Sequence, residues 1–141
     1  MTLTASAASA PGTSTADAEY RPGICNIGPE EIRRRRRAGH IGAIAAVVVL
    51  VVLVAIGAPP LARLLIAIPA AGAASGYLQA WLRFCAGFGT RGVFNFGPLG
   101  QTHEVVDADA RARDRARARG IGLASLAIGL AVGAIAVFLP L

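Results

Sequence analysis

Lysine is absent from this 141-residue chain, so all 14 basic residues are Arg, set against only 8 Asp and Glu. Charged residues make up 16% of the sequence, where soluble domains carry roughly 25%. Two Cys are too few for a disulfide scaffold. A hydrophobic content of 55% excludes a disordered chain. The length is that of about one small domain. Together these absences exclude a soluble globular enzyme and point to a small integral membrane protein.

Chemistry-bearing patterns are missing as well. There is no Gly-rich phosphate loop followed by Lys, no pair of carboxylates set for a common pocket, and no nucleophile beside a base. Thr102-His103-Glu104 stands without partners, so no catalysis and no cofactor is assigned.

Three apolar stretches define the fold class: an all-α membrane protein with transmembrane helices at about 41–58, 61–84 and 121–139. Some 20 helical residues cross a hydrocarbon layer of roughly 30 Å. The first stretch is Val-rich, yet in lipid an isolated strand leaves its backbone unpaired, so helix is expected. Pro59-Pro60 is the expected stop of the first span. In the second, Arg63 is expected to snorkel to the headgroups and Pro69 to kink the helix. Tyr77, Trp81 and Phe84 are expected to mark its far interface. No Asp, Glu or Lys lies within a span, which argues against a proton-coupled exporter.

The expected organisation is a disordered tail over 1–20, a basic juxtamembrane segment over 21–40, and a transmembrane domain over 41–139 with a loop at 85–120. The tail lacks the basic start and apolar core of a cleaved signal. Thirteen of the 14 Arg fall before the first span or between the second and third, counting Arg83 at the edge of the second. The positive-inside rule therefore makes both segments cytoplasmic, with the N-terminus inside and the C-terminus outside. The absence of Lys beside abundant Ala, Gly and Arg is associated with a bacterial source, hence a bacterial inner membrane.

An internal similarity stands out. Asn26-Ile27-Gly28-Pro29 precedes Arg33, Arg34, Arg35, Arg36 and Arg37, then the first span. Asn95-Phe96-Gly97-Pro98 precedes Arg111, Arg113, Arg115, Arg117 and Arg119, then the third. Convergence and duplication both account for this. Asn, Gly and Pro suit a turn leading into a helix, so Pro29–Arg37 is expected as helix running into the first span, and His103–Arg119 as helix continuous with the third. The Arg tracts, placed at the feet of spans, read as topogenic and as contacts to anionic headgroups rather than to nucleic acid.

Gly72 with Gly76, and Gly122 with Gly129 and Gly133, have the small-residue spacing that lets helices approach closely. The bulky first span is expected to face lipid more. Cys25, Cys85, His40 and His103 are expected on one side of the membrane and form a sufficient, though irregularly spaced, metal-ligand set. Phe84–Gly100, where Phe alternates with Gly, reads as a frayed interfacial segment, a re-entrant turn or a docking surface.

The expected function is that of a non-enzymatic accessory or scaffold subunit, or a self-associating membrane protein, partnered by the lipid bilayer and by copies of itself or another membrane protein. A metal, redox or ligand sensor built on Cys25 and Cys85 is one alternative, and an oligomeric channel or transporter another.

Overall fold

A computed structural model describes residues 19–141. The expected tail therefore lies outside the described residues up to position 18. The described chain is mostly helical, with three helices long and apolar enough to cross a membrane. They run up, down and up, as the expected three-span arrangement requires.

Helix α1 (Pro29–Ala55) is a single helix of 27 residues that takes in both the Arg tract and the first apolar stretch. Gly28 is its N-cap, Pro29 occupies the first helical position, and Glu30 and Glu31 fill the first turn, where the helix dipole favours acids. The helix ends three residues earlier than expected. Gly57, at φ +66°, lets Ala58 N–H reach Leu53 O at 2.9 Å and Gly57 N–H reach Val54 O at 3.1 Å. This is a glycine-terminated helix end. Pro59-Pro60 opens the next element instead of closing this one.

The second span begins as a 3-10 helix (Pro60–Ile66) and continues as α2 (Ala67–Leu82). Pro69 thus sits in the first turn of α2, at the junction with the 3-10 helix. The expected mid-helix kink is replaced by this 3-10 to α transition. Helix α4 (Ala108–Phe138) supplies the third span in 31 residues. It starts later than expected, at the Asp107 cap, whose carboxylate accepts Ala110 N–H at 2.8 Å. His103–Glu104 is strand β2 rather than helix, pairing antiparallel with β1 (Val93–Phe94). Between α2 and β1 lies a short helix α3 (Ala86–Arg91). Residues 85–120, expected as a loop, are therefore folded into a cap at the basic end of the bundle.

Packing within the bundle relies on small residues. A Cβ on Gly76 would stand 2.4 Å from Gly39 N, and one on Gly42 2.6 Å from Ala73 N, so α1 and α2 touch backbone to backbone. A Cβ on Gly129 would stand 2.5 Å from Ala67 O, while one on Gly133 would meet Ala67 Cβ at 3.1 Å. The buried face of α4 is the stripe Ala110, Asp114, Ala118, Ile121, Ser125, Gly129, Gly133 and Ala136, spaced by threes and fours as one helix face demands. Gly72 and Gly122, expected on the packing faces, have nothing within 4 Å of a Cβ and face open space. The apolar stretch of α1 is only 6% buried, against 28% for each of the other two. Val47, Val48, Val51, Val52 and Val54 are exposed, as expected for the first span, while Val49 packs with Ala46, Leu50 and Leu53 against Ile66, Ala70 and Ala136.

Arg63 departs most from expectation. It is buried, and its guanidinium donates to Ala136 O at 3.2 Å, Leu139 O at 2.8 Å and Leu141 O at 2.9 Å. These carbonyls at the end of α4 have no partner within the helix. A charged group that was expected to reach for headgroups instead closes the far end of the bundle.

Candidate functional site

The cap is organised by the two Asn-x-Gly-Pro motifs, which lie side by side. Asn95 N–H donates to Asn26 O at 3.0 Å and Gly28 N–H donates to Asn95 O at 2.8 Å, forming a parallel bridge between Ile27 and Asn95. Both Asn are completely buried. Their side chains do different things. Asn26 pairs with the backbone of Cys85, donating Nδ2–H to Cys85 O at 3.1 Å and accepting Cys85 N–H at 2.7 Å. Asn95 closes its own turn, accepting Gly97 N–H at 2.9 Å and donating to Pro98 O at 2.9 Å. The first motif is thus a junction between segments, and the second is a local turn.

The chain reaches this junction through a sharp reversal after α2. Arg83 adopts φ +53°, the one positive φ at a non-glycine among the described residues. Such a conformation is uncommon for a side-chain-bearing residue, and here it turns the chain so that Phe84 and Cys85 enter the core. Gln79 fixes the turn by accepting Ala86 N–H at 2.9 Å, with its own amide held by Ser75 Oγ at 2.8 Å. Phe84 packs fully buried against Ala118 and Ile121. It is a core residue rather than the interfacial anchor expected of it.

Cys85 is 1% exposed. Its Sγ accepts Phe88 N–H at 3.4 Å and is approached by Arg35 Nη2 at 2.9 Å. Arg35 also lies 3.7 Å from the buried Glu31 carboxylate and 5.9 Å above the Phe88 ring. Cys25 is partly exposed, and burial pushes its thiol pKa up against the pull of nearby Arg83 and Arg21. His40 Nδ1 hydrogen-bonds Tyr77 Oη at 2.6 Å across α1 and α2. His103 stacks on Phe94 at 5.5 Å in the hairpin. No group of three or more His, Cys, Asp and Glu able to hold a metal ion converges among the described residues. Cys25, Cys85, His40 and His103 are thus not gathered into one site.

One anchoring residue escaped the sequence reading altogether. Asp114, in the middle of the second Arg tract, is completely buried. It accepts Tyr20 O–H at 2.6 Å and Gly23 N–H at 2.7 Å, and so ties the segment before α1 to α4. Tyr20 also stacks on Phe94 at 4.7 Å. Expected as the end of a free tail, Tyr20 is part of the cap. Burial, reinforced by the Asp114 hydrogen bond, pushes its hydroxyl pKa well above the ordinary tyrosine value. The available signal was Asp114's register with Ala110, Ala118 and Ile121 on the small-residue stripe.

The Arg tracts flank this cap. Arg33 pairs with Glu30, Arg34 lies 4.0 Å from Glu31, and Arg35 turns inward. Arg36 and Arg37 are exposed. In the second tract Arg111, Arg113, Arg115 and Arg119 are exposed and Arg117 is half-buried. Comparison with family models, with curated proteins and with solved structures finds no match to this chain.

Proposed function

We propose that the protein is a multi-pass membrane protein of the bacterial inner membrane, acting as a non-catalytic scaffold or accessory subunit. Its cap faces the cytoplasm and its C-terminus the outside. The observation that carries this reading is the interlocking of the cap. The buried side chains of Asn26 and Asp114 tie the segment before α1, the turn after α2 and the start of α4 into one platform, and the Asn95 backbone bridges Asn26 and Gly28 beside them. Buried polar groups occupied in this way specify a single arrangement. The platform carries thirteen Arg, while Arg63, at the other end, is buried against α4. That asymmetry supports the orientation.

Two experiments test the reading. A reporter fused after Leu141 is expected to be active outside the cytoplasm, and cytoplasmic activity removes the topology. Affinity purification in mild detergent, followed by native electrophoresis, is expected to give a discrete homo-oligomer or a stoichiometric complex with another membrane protein. A strictly monomeric species with no partner removes the scaffold role.

A further inference from the structure

A groove of about 930 Å³ opens at the basic end of the bundle, between the start of α1, the last turn of α2 and the segment before α1. Four guanidinium-bearing residues line it: Arg21, Arg33, Arg36 and Arg83. They come from three separate stretches of sequence, so the convergence is a product of the fold and not of one Arg run. Glu19 is the single carboxylate among the lining residues. Arg33 is paired with Glu30, whereas Arg21, Arg36 and Arg83 make no side-chain ion pair among the described residues.

The rest of the lining is apolar. Ile32 contributes a wall and Trp81 stands at the edge, 79% exposed. The level of the groove follows from the packing. The His40–Tyr77 contact joins α1 and α2 at the margin of the apolar stretch, and Trp81 lies one turn beyond Tyr77, beside the turn of α1 that carries Arg33 and Arg36. A groove that is cationic on one side, apolar on the other and edged by an exposed Trp has the character of the membrane–water boundary. Forked guanidinium groups suit a phosphodiester, which they bind with two parallel hydrogen bonds.

We infer that this groove is a binding site for one anionic phospholipid, its phosphate held by Arg21, Arg36 and Arg83 and its acyl chain laid along Ile32 and Trp81. The inference rests on the membrane reading above and sharpens it. Anionic headgroups would then engage a built site, not merely the Arg tracts as a diffuse collar. Arg33, already neutralised by Glu30, contributes least. Arg115 and Arg119 lie outside the groove and are the natural controls.

The test uses the full chain purified in mild detergent, with native mass spectrometry of lipid adducts. Added phosphatidylglycerol is expected to give a single retained adduct, favoured about tenfold or more over phosphatidylcholine. The double variant R36Q/R83Q is expected to lose that preference, R36K/R83K to keep only the part owed to charge without the paired hydrogen bonds, and R115Q/R119Q to leave it unchanged. Equal retention of the two lipids, or equal loss in R115Q/R119Q, overturns the site. Retention of inorganic phosphate that competes fully with the lipid also overturns it, because the apolar wall then has no role. Near-ultraviolet circular dichroism of each variant checks that the cap is folded. If R36Q/R83Q unfolds the cap, the single variant Arg36→Gln, on an exposed helical side chain, decides with about half the loss. Failure of the membrane reading is seen separately, as release of the protein from membranes by carbonate without detergent.

Discussion

The bundle and the cap are held together by different physics. Within the bundle, the closest approaches are to backbone atoms, at Gly42, Gly76 and Gly129, and the side-chain contacts beside them are apolar, as where Val49, Leu50 and Leu53 meet Ile66, Ala70 and Ala136. In the cap, the close contacts are side-chain amide and carboxylate hydrogen bonds, from Asn26, Asn95 and Asp114, beside a stack of Tyr20, Phe94 and His103. The contrast follows from the solvent each would meet. Between helices in lipid there is no hydrophobic drive, so association depends on dispersion at short range, which small residues permit. In the cap, which the proposed placement sets in water at the membrane surface, burial of aromatics is again favourable, and polar side chains can select one arrangement of the loops. Arg63 is the exception. It is a charge at the far end of the bundle, and it is held there by hydrogen bonds to three backbone carbonyls at and just beyond the end of α4.

The strongest way to break this comparison is to remove the side chain that joins the segment before α1 to the turn after α2. Asn26→Ala orphans the N–H of the fully buried Cys85 backbone, whose C=O keeps the Gly89 N–H, and removes the second hydrogen bond to that carbonyl. With about 1–3 kcal/mol for the buried N–H left without a partner and about 1 kcal/mol for the lost hydrogen bond to the carbonyl, the loss is about 2–4 kcal/mol. Asn95→Ala leaves orphans only within its own turn, and about 1–2 kcal/mol is expected. Reversible unfolding in mild detergent measures both. Equal losses would mean that the two motifs are equivalent and that the junction assigned to Asn26 is not special.

The glycines give the matching test for the bundle. Gly76→Val and Gly129→Val place a side chain against backbone atoms of the neighbouring helix, and about 1–3 kcal/mol or more of destabilisation is expected for each. Gly72→Val and Gly122→Val meet open space and should change stability by no more than about 0.5 kcal/mol. The same unfolding assay ranks the four. A large effect at Gly72 or Gly122 would reveal a contact with a second copy or a partner on that face.

This pairing of sensitive and tolerant glycines also shows where the sequence was legible. Helix length and apolarity are local properties, and they placed three helices long and apolar enough to cross a membrane and the continuous helix from the first Arg tract. The four-residue spacing of Gly72 and Gly76, in contrast, says only that both are small and near one face. Which of them meets another helix depends on the crossing with α1, through Gly39 and Gly42, and no single-helix pattern encodes that. The cap was less legible for the same reason. Asn26 binds Cys85 across 59 positions and Asp114 binds Tyr20 across 94, so local turn chemistry explained Asn95 and missed the role of Asn26. The alternation of Phe and Gly over 84–100 was noticed, but it belongs to a folded helix and hairpin, with Phe84 and Phe94 as core.

The smallest expected effect separates the polar latch from the aromatic stack that accompanies it. Tyr20→Phe keeps the ring on Phe94 and removes only the hydrogen bond to Asp114, so about 1 kcal/mol of local stability is expected to go. The pH dependence carries more information than the size. Burial, then the hydrogen bond and charge of Asp114, raise the Tyr20 hydroxyl above its ordinary value near 10. A released segment ionises at that ordinary value, while the latched one stays neutral. The latch is therefore at full strength below about pH 10 and weakens as pH rises beyond it. Hydrogen exchange at Gly23, whose N–H is held by Asp114, should accelerate more steeply above pH 10 in the native chain than in Tyr20→Phe. Identical pH profiles would assign the anchoring of this segment to the stacked rings alone, and the cap would then share with the bundle a reliance on packing.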